Sequence, residues 1–492
     1  MKQNTHRIGM LHTRQLLAVA SLLPLLLAAC IPSTTTTPPM PTRTRVVPTS
    51  TAMLVPIGSI STTLLPGDWS GYLRGNDRTG FNPTETTITA STASQLTLHW
   101  TAQGNSRVFS QPVIVGDLIY WGSGNGIEHA TDLQGHPVWT ANLGASHPSC
   151  DSDADARAGV LDTPTVTSVM LRGKQVMAVF VGGGSGRFYA LNAATGAMIW
   201  STVLGHPPAH FLWSSPAVYD GKVYEGVASL DTCPFVQGEL VQMDAGTGVI
   251  THVFKTVPDG CVGGSIWSSP TIDVQAGTVY VSTGNPSHCW TAEPYAPALI
   301  KLRARDLALL DAWQVPQRQQ IPDSDFGATP TLFEARIAGV QKQLVGVVNK
   351  NGKYYAFDRT AIGRGPVWIA RAGGANTIAP SAWDGTHLYL SGRKTKFQGM
   401  KCNSALEALD PATGTYLWRR CLSYGALFEG VTVVPGVAFV SEGSYFLVIK
   451  AADGRTLFKY SDAHASFLGP ASVSNGVLYL GSYTGGLYAF GL

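Results

Sequence analysis

The chain has 492 residues, of which 44% are hydrophobic and only 13% charged. Its 12 Trp, 17 Tyr and 17 Phe are enough aromatic stock for packed cores, which excludes disorder along the whole length. The 34 basic and 31 acidic residues leave a formal net charge of +3, too balanced for a nucleic-acid binder that works by neutralising phosphates.

In chain order, the first element is an export signal. Lys2, Arg7 and Arg14 form a basic head, and Leu16 to Leu27 form an apolar run, too short for a bilayer span but right for a signal core. It ends in Leu27-Ala28-Ala29-Cys30, which resembles the bacterial lipobox. Residues 1–29 are therefore expected to be cut away and Cys30 to carry a lipid. Residues 30–66 are rich in Thr, Pro and Ser, a composition that buries no core and suits an extended tether. The expected location is outside the cytoplasm, at a membrane, through the lipid on Cys30.

Residues 67–492 carry a repeat. A small residue followed by Pro opens an apolar alternating run. A Gly turn, a second run, a third, an Asp/Asn-x-x-Thr-Gly turn and an aromatic residue follow. The openings are Gln111-Pro112, Thr163-Pro164, Ser215-Pro216, Ser269-Pro270, Thr329-Pro330, Ala379-Pro380, Gly430-Val431 and Gly469-Pro470, at intervals of roughly 39 to 60 residues. Stretches such as Val279 to Asn285 and Val477 to Leu492 read as short antiparallel strands between Gly turns. Asn192 to Gly196 and Asp410 to Gly414 read as tight turns that need a left-handed residue. The aromatic after each turn (Trp139, Trp200, Phe254, Trp313, Trp368, Trp418) is placed to fill the gap between neighbouring sheets. A four-stranded sheet cannot bury both faces alone, so the units are expected to stack radially as an all-β, eight-bladed β-propeller. A pair of packed sheets would not produce eight units of similar length with the same aromatic. The last unit lacks an outer strand, and Gln95 to Trp100 is expected to supply it, closing the ring and removing an open edge.

Beyond Cys30 there are six cysteines: Cys150, Cys233, Cys261, Cys289, Cys402 and Cys421. None stands in a Cys-x-x-Cys pattern, so disulfides are expected rather than a zinc site. Spacing leaves the pairing open. Membership of one unit favours Cys402–Cys421, proximity favours Cys233–Cys261, and Cys150–Cys289 remains.

The segments Ala190 to Trp200 (ALNAATGAMIW) and Ala408 to Trp418 (ALDPATGTYLW), with the opening Gly67 to Pro83 (GDWSGYLRGNDRTGFNP), resemble the repeats of the pyrroloquinoline-quinone (PQQ) type of eight-bladed propeller. That family holds both quinoprotein alcohol dehydrogenases and non-catalytic scaffolds similar to the outer-membrane assembly propeller. Gly263 to Ser287 resembles the quinoprotein stretch that places a Trp under the quinone and an Asn on calcium. The resemblance implies Trp267 as the stacking floor and Asn285 as a metal ligand. Asp323 to Pro330 resembles the segment with the catalytic base, which makes Asp325 the base and Asp323 a neighbour able to raise its pKa. Val348 to Arg359 is similar to the segment whose cation bonds the quinone oxygens, with Lys350 at that position. The acidic calcium ligand has no clean counterpart, and Asp231 is the nearest. The adjacent Cys pair of many such enzymes and a Cys-x-x-Cys-His haem motif are both absent from these residues. The resemblance thus implies a dehydrogenase using PQQ and Ca²⁺ to oxidise an alcohol or sugar. Its alternative is an envelope scaffold whose loops bind a protein or polymer.

Overall fold

The computed structural model describes residues 61–147, 157–229, 234–287, 289, 292–422 and 430–492. Cys30, Cys150, Asp231 and Cys233 lie outside the described residues. Eight four-stranded antiparallel sheets make up the body. Blades 1 to 7 are simple meanders at 113–142, 165–203, 217–255, 271–314, 331–371, 382–422 and 432–461. Blade 8 takes three strands from 472–491 and its outer strand, Thr97–Gln103, from the other end of the chain. Thr97 faces Gly491 and Gln103 faces Gly486, with one irregularity between Leu98 and Trp100. The closing strand thus lies where expected, shifted two residues on because Ala93–Gln95 is wound into a short 3-10 turn.

The recurring motifs each have a mechanical role. First strands of neighbouring blades touch all round the ring and form its inner wall. At the opening motif a hydroxyl accepts the amide of the equivalent residue one blade earlier. Gln111 N donates to Thr163 Oγ1 (2.8 Å), Thr163 N to Ser215 Oγ (2.9 Å), Ser215 N to Ser269 Oγ (2.9 Å) and Ser269 N to Thr329 Oγ1 (3.0 Å). The following Pro costs nothing, having no amide to satisfy. Further out, each tryptophan reaches over the turn of the next blade. Trp139 Nε1 donates to Ala193 O (2.9 Å), Trp200 Nε1 to Ala245 O (3.0 Å) and Trp418 Nε1 to Ala451 O (2.8 Å). The turn glycine is needed twice over at Gly196. Its φ is +70°, and a Cβ there would lie 2.6 Å from Trp139 Cε3.

One end of the channel is filled by the segment Trp69 to Asn82, which visits every blade in order. Trp69 pairs with Ile114 of blade 1, and Ser70 O accepts from Val166 N of blade 2 (2.8 Å). Asn76 donates through Nδ2 to Val218 O of blade 3 (2.9 Å) and accepts from Ile272 N of blade 4 (2.8 Å). Asp77 O takes Leu332 N of blade 5 (3.0 Å), Thr79 O takes Trp383 N of blade 6 (2.8 Å), and Gly80 O takes Val433 N of blade 7 (2.8 Å). Asn82 Nδ2 ends the circuit on Val473 O of blade 8 (2.8 Å). At the hub lies Arg78, 1% exposed, donating to Tyr72 O (2.7 Å), Pro270 O (3.0 Å), Pro216 O (3.0 Å) and Ser215 O (3.2 Å). The segment satisfies inner-strand groups that would otherwise face the channel.

Two disulfides are present among the described residues. Cys402–Cys421 joins adjacent strands of blade 6 with Cα atoms 5.3 Å apart, as expected. The other corrects the remaining expectations. Cys261 pairs with Cys289 at a Cα separation of 5.0 Å, which excludes both Cys233–Cys261 and Cys150–Cys289. The reason lies in isolated bridges outside the blades. Gly263 pairs with Gln237 on one side and Pro286 on the other, drawing the approaches to Cys261 and Cys289 together.

Candidate active site

Second strands run away from the plug, and first strands return to it. Trp267 precedes the first strand of blade 4 (Thr271–Asp273), and Asn285 follows the second (Thr278–Ser282). Asp325 precedes the first strand of blade 5 (Thr331–Ile337), and Lys350 follows the second (Val340–Asn349). All four therefore sit at the end of the channel opposite the plug.

They meet in one cavity of about 500 Å³. Trp267 Nε1 donates to Asp325 Oδ2 (3.1 Å). Lys350 Nζ stands 2.7 Å from Asp325 Oδ1 and 3.1 Å from each oxygen of Asp323, and lies 5.2 Å from the centre of the Trp267 ring. Asn285 donates through Nδ2 to Asp323 Oδ1 (2.9 Å) and accepts Ser324 N on Oδ1 (3.1 Å). The backbone is pinned behind them. Asn349 Nδ2 donates to Ser324 O (2.6 Å), Lys350 N to Asp325 O (3.1 Å), and Phe326 N to Thr283 O (3.1 Å). Trp267 can pack closely against the approach to blade 5 because residue 327 is glycine. A Cβ there would be 2.6 Å from the indole Cζ2.

Burial pushes Asp325 up to about 6; Asp323 adds to the rise and Lys350 opposes it. The expectation that Asp323 raises this pKa is met, but as a smaller effect than desolvation. Burial also works against the charge on Lys350, yet Asp325 and Asp323 outweigh it and its pKa is raised. Asp323 is itself lowered: partial burial works against its charge, but hydrogen bonding with Asp325, then with Lys350 and Asn285, overcomes it. The result is a buried carboxylate protonated and deprotonated near neutral pH, beside a permanent cation.

The cavity fits a flat, oxygen-bearing ring. Trp267 offers a π-face, Lys350 a cation, and Asp325 a buried carboxylate held by Lys350 and by the Trp267 indole. Of the two expected calcium ligands, Asn285 lines the cavity and Asp231 lies outside the described residues. No group of three acidic, imidazole or thiol side chains comes together among the described residues. Asp323 and Asp325 are neutralised by Lys350, and both ends of the Asn285 amide are engaged.

Three lining or supporting residues were not anticipated. Trp213 lines the cavity one blade earlier, in a Trp-Ser-Ser-Pro sequence identical to that beginning at Trp267, which was a readable signal. Phe235 lies beside it on the loop bridged to Gly263, and Asn349 braces Asp325 from behind. Neither carries a sequence pattern that marks it.

Known proteins similar to this chain include alcohol dehydrogenases and an outer-membrane assembly factor. The family described as "Glucose/ethanol/alcohol dehydrogenase, beta-propeller domain" matches residues 236–368, which hold the four site residues. "Outer membrane protein assembly factor BamB" matches 403–491. A polyvinylalcohol dehydrogenase of Pseudomonas sp is 25% identical over 458 residues, covering 82% of this chain and 68% of the relative. A quinohemoprotein alcohol dehydrogenase of Comamonas testosteroni is 26% identical over 315 residues, 56% of this chain and 42% of the relative, so the chain matches less than half the length of that enzyme. The crystal structure of the Comamonas testosteroni quinohemoprotein alcohol dehydrogenase superposes with a TM-score of 0.67 at 19% identity, over 86% of this chain and 80% of that one. BamB from Moraxella catarrhalis gives 0.51 at 16% identity, over 81% and 98%. The chain is an eight-bladed propeller, similar over residues 236–368 to the propeller domain of glucose, ethanol and alcohol dehydrogenases and over 403–491 to the outer-membrane assembly factor.

Proposed function

We propose that this protein is a quinoprotein-type dehydrogenase that oxidises an alcohol, held outside the cytoplasm by a lipid on Cys30. The observation that carries the reading is the meeting of Trp267, Asp325 and Lys350, from two blades, within hydrogen-bonding or stacking distance in one cavity. PQQ, when bound, supplies the acceptor for the two electrons that the alcohol loses. Trp267 provides the face on which a planar ring rests. Lys350 Nζ is placed to donate to ring oxygens and to hold negative charge that develops there. Asp325, ionised above about pH 6, takes the hydroxyl proton of the substrate on its carboxylate. Trp213 and Phe235 wall the cavity and limit water beside the reacting carbon. Relatives named for alcohols, including a polymeric one, support a hydroxyl substrate over any other class.

The deciding experiment is reconstitution with PQQ, followed by tryptophan fluorescence and dye-linked oxidation of primary, secondary and polymeric alcohols. Asp325→Asn should bind the quinone and lose turnover; Trp267→Ala should bind it more weakly. Absence of saturable quinone binding would select the second reading, an envelope scaffold, which the BamB match over 403–491 favours. Anchoring is tested by Cys30→Ala, which should abolish lipid labelling and release the protein from membranes.

A further inference from the structure

The rim of the cavity bears a structure that the reaction does not use. In blade 1 the second and third strands, Leu118–Gly122 and Ile127–Asp132, have five and six residues. In blade 6 their equivalents, Leu388–Phe397 and Met400–Leu409, have ten each. The extra length leaves the blade as a two-stranded ribbon on the cavity end of the ring, since second strands run away from the plug.

The ribbon carries Arg393, Lys394, Lys396 and Lys401, and there is no acidic residue from 385 to 406. Lys394, Lys396 and Lys401 are exposed, and none is ion-paired among the described residues. Lys396 stands directly opposite Lys401 across the two strands, an arrangement of like charges that works against pairing. Lys394 is held at a φ of +45°, which a non-glycine residue adopts at a cost. These unfavourable features persist on a well-braced element. Cys402–Cys421 fastens its root, and the Arg419 guanidinium covers Phe397 at 5.3 Å while pairing with buried Glu407. The root is also connected to the cavity. Gly374 N donates to Arg393 O (2.6 Å), and two residues on Asn376 N donates to Lys350 O (2.8 Å).

We propose that this ribbon is a docking arm for an acidic, electron-accepting protein that seats itself at the cavity mouth. The inference rests on the dehydrogenase reading. Oxidation of an alcohol to a carbonyl releases two protons and two electrons, and the electrons must pass to an acceptor brought close to the cavity. Rigid cations at the rim steer and orient an anionic partner. A bilayer would require apolar side chains among the lysines to enter it, and the ribbon exposes one large one, Met400.

The test uses the full chain and the triple variant Lys394→Glu, Lys396→Glu, Lys401→Glu, with poly-L-glutamate as the acidic-protein probe and phosphatidylglycerol vesicles as the lipid probe. The wild type should bind polyglutamate in low salt and release it in high salt. The variant should bind about tenfold or more weakly. With dye acceptors, the variant should need a several-fold higher concentration of anionic ferricyanide at unchanged kcat, while cationic phenazine methosulfate is unaffected. Equal polyglutamate binding by the two proteins, or a preference for the vesicles, overturns the proposal. No turnover with either dye, alongside ribbon-dependent polyglutamate binding, refutes the dehydrogenase reading and leaves the acidic partner standing.

Discussion

Replacement of Arg78 by methionine tests whether the plug holds the ring together. Methionine keeps most of the apolar stem and removes only the guanidinium, whose donors reach the carbonyls of Tyr72, Ser215, Pro216 and Pro270 at 2.7 to 3.2 Å. Bonds from a charged donor contribute about 1.5–3 kcal/mol each, so four make a gross term of roughly 6–12 kcal/mol. Against this stands desolvation of a fully buried cation, which pushes the Arg78 pKa down to about 10 and corresponds to roughly 3 kcal/mol. The net loss should be about 4–6 kcal/mol, because the carbonyls left behind remain buried. For a ring of roughly 430 residues, with an unfolding entropy near 2.1 cal/mol/K per residue, that lowers Tm by about 5 °C. Calorimetry of the two proteins in one buffer reads this directly. A shift below about 1 °C would refute the reasoning and reduce the plug to a passive filler.

Gly327→Ala should destabilise by about 1–3 kcal/mol, since its Cβ would meet both Trp267 Cζ2 (2.6 Å) and Ile378 Cγ2 (2.8 Å). It should also weaken quinone binding by tilting the indole; unchanged affinity would show that the ring does not rest there. The Asp325 pKa is raised on folding, so its contribution to stability is present below about pH 4 and lost as pH rises through about 6, a change of order 2–3 kcal/mol. Asp325→Asn should remove that slope and equal or exceed wild-type stability at pH 8, as urea titrations across pH will report. Cys261→Ser with Cys289→Ser should cost about 2–4 kcal/mol and loosen the wall that carries Asn285 and Phe235, while unreduced peptide mapping of the parent should recover the 261–289 pair.

The blades were legible because their sequence marks are the parts under mechanical load. A serine or threonine before Pro is a hydroxyl strut to the previous blade, and the tryptophan after each turn docks on the next turn's glycine. The site residues Trp267, Asn285, Asp325 and Lys350 were readable through the resemblance of their segments to quinoprotein ones, and their convergence because each flanks a recognisable strand. The circuit of residues 69–82 was not, since most of its bonds use main-chain atoms and leave no pattern in side-chain chemistry. The partner of Cys261 was hidden for a related reason. It is selected by bridges among Gln237, Gly263 and Pro286, outside any regular strand. Burial dominates the Asp325 pKa, and burial depends on how Trp267 and Lys350 pack over it, which spacing cannot convey.

The two closures have a temporal meaning. The strand 97–103 emerges early in synthesis, yet its partner is 486–491, and Asn82 has its last bond on Val473. Rim and hub alike wait for the final strands, so a product ending before 472 would expose unpaired edges at both ends of its arc and leave the plug's last donor unmet. Contacts this distant in sequence close slowly. Until residues 472–491 are in place the arc keeps open edges within reach of proteases, and their pairing closes its inner and outer circumference together.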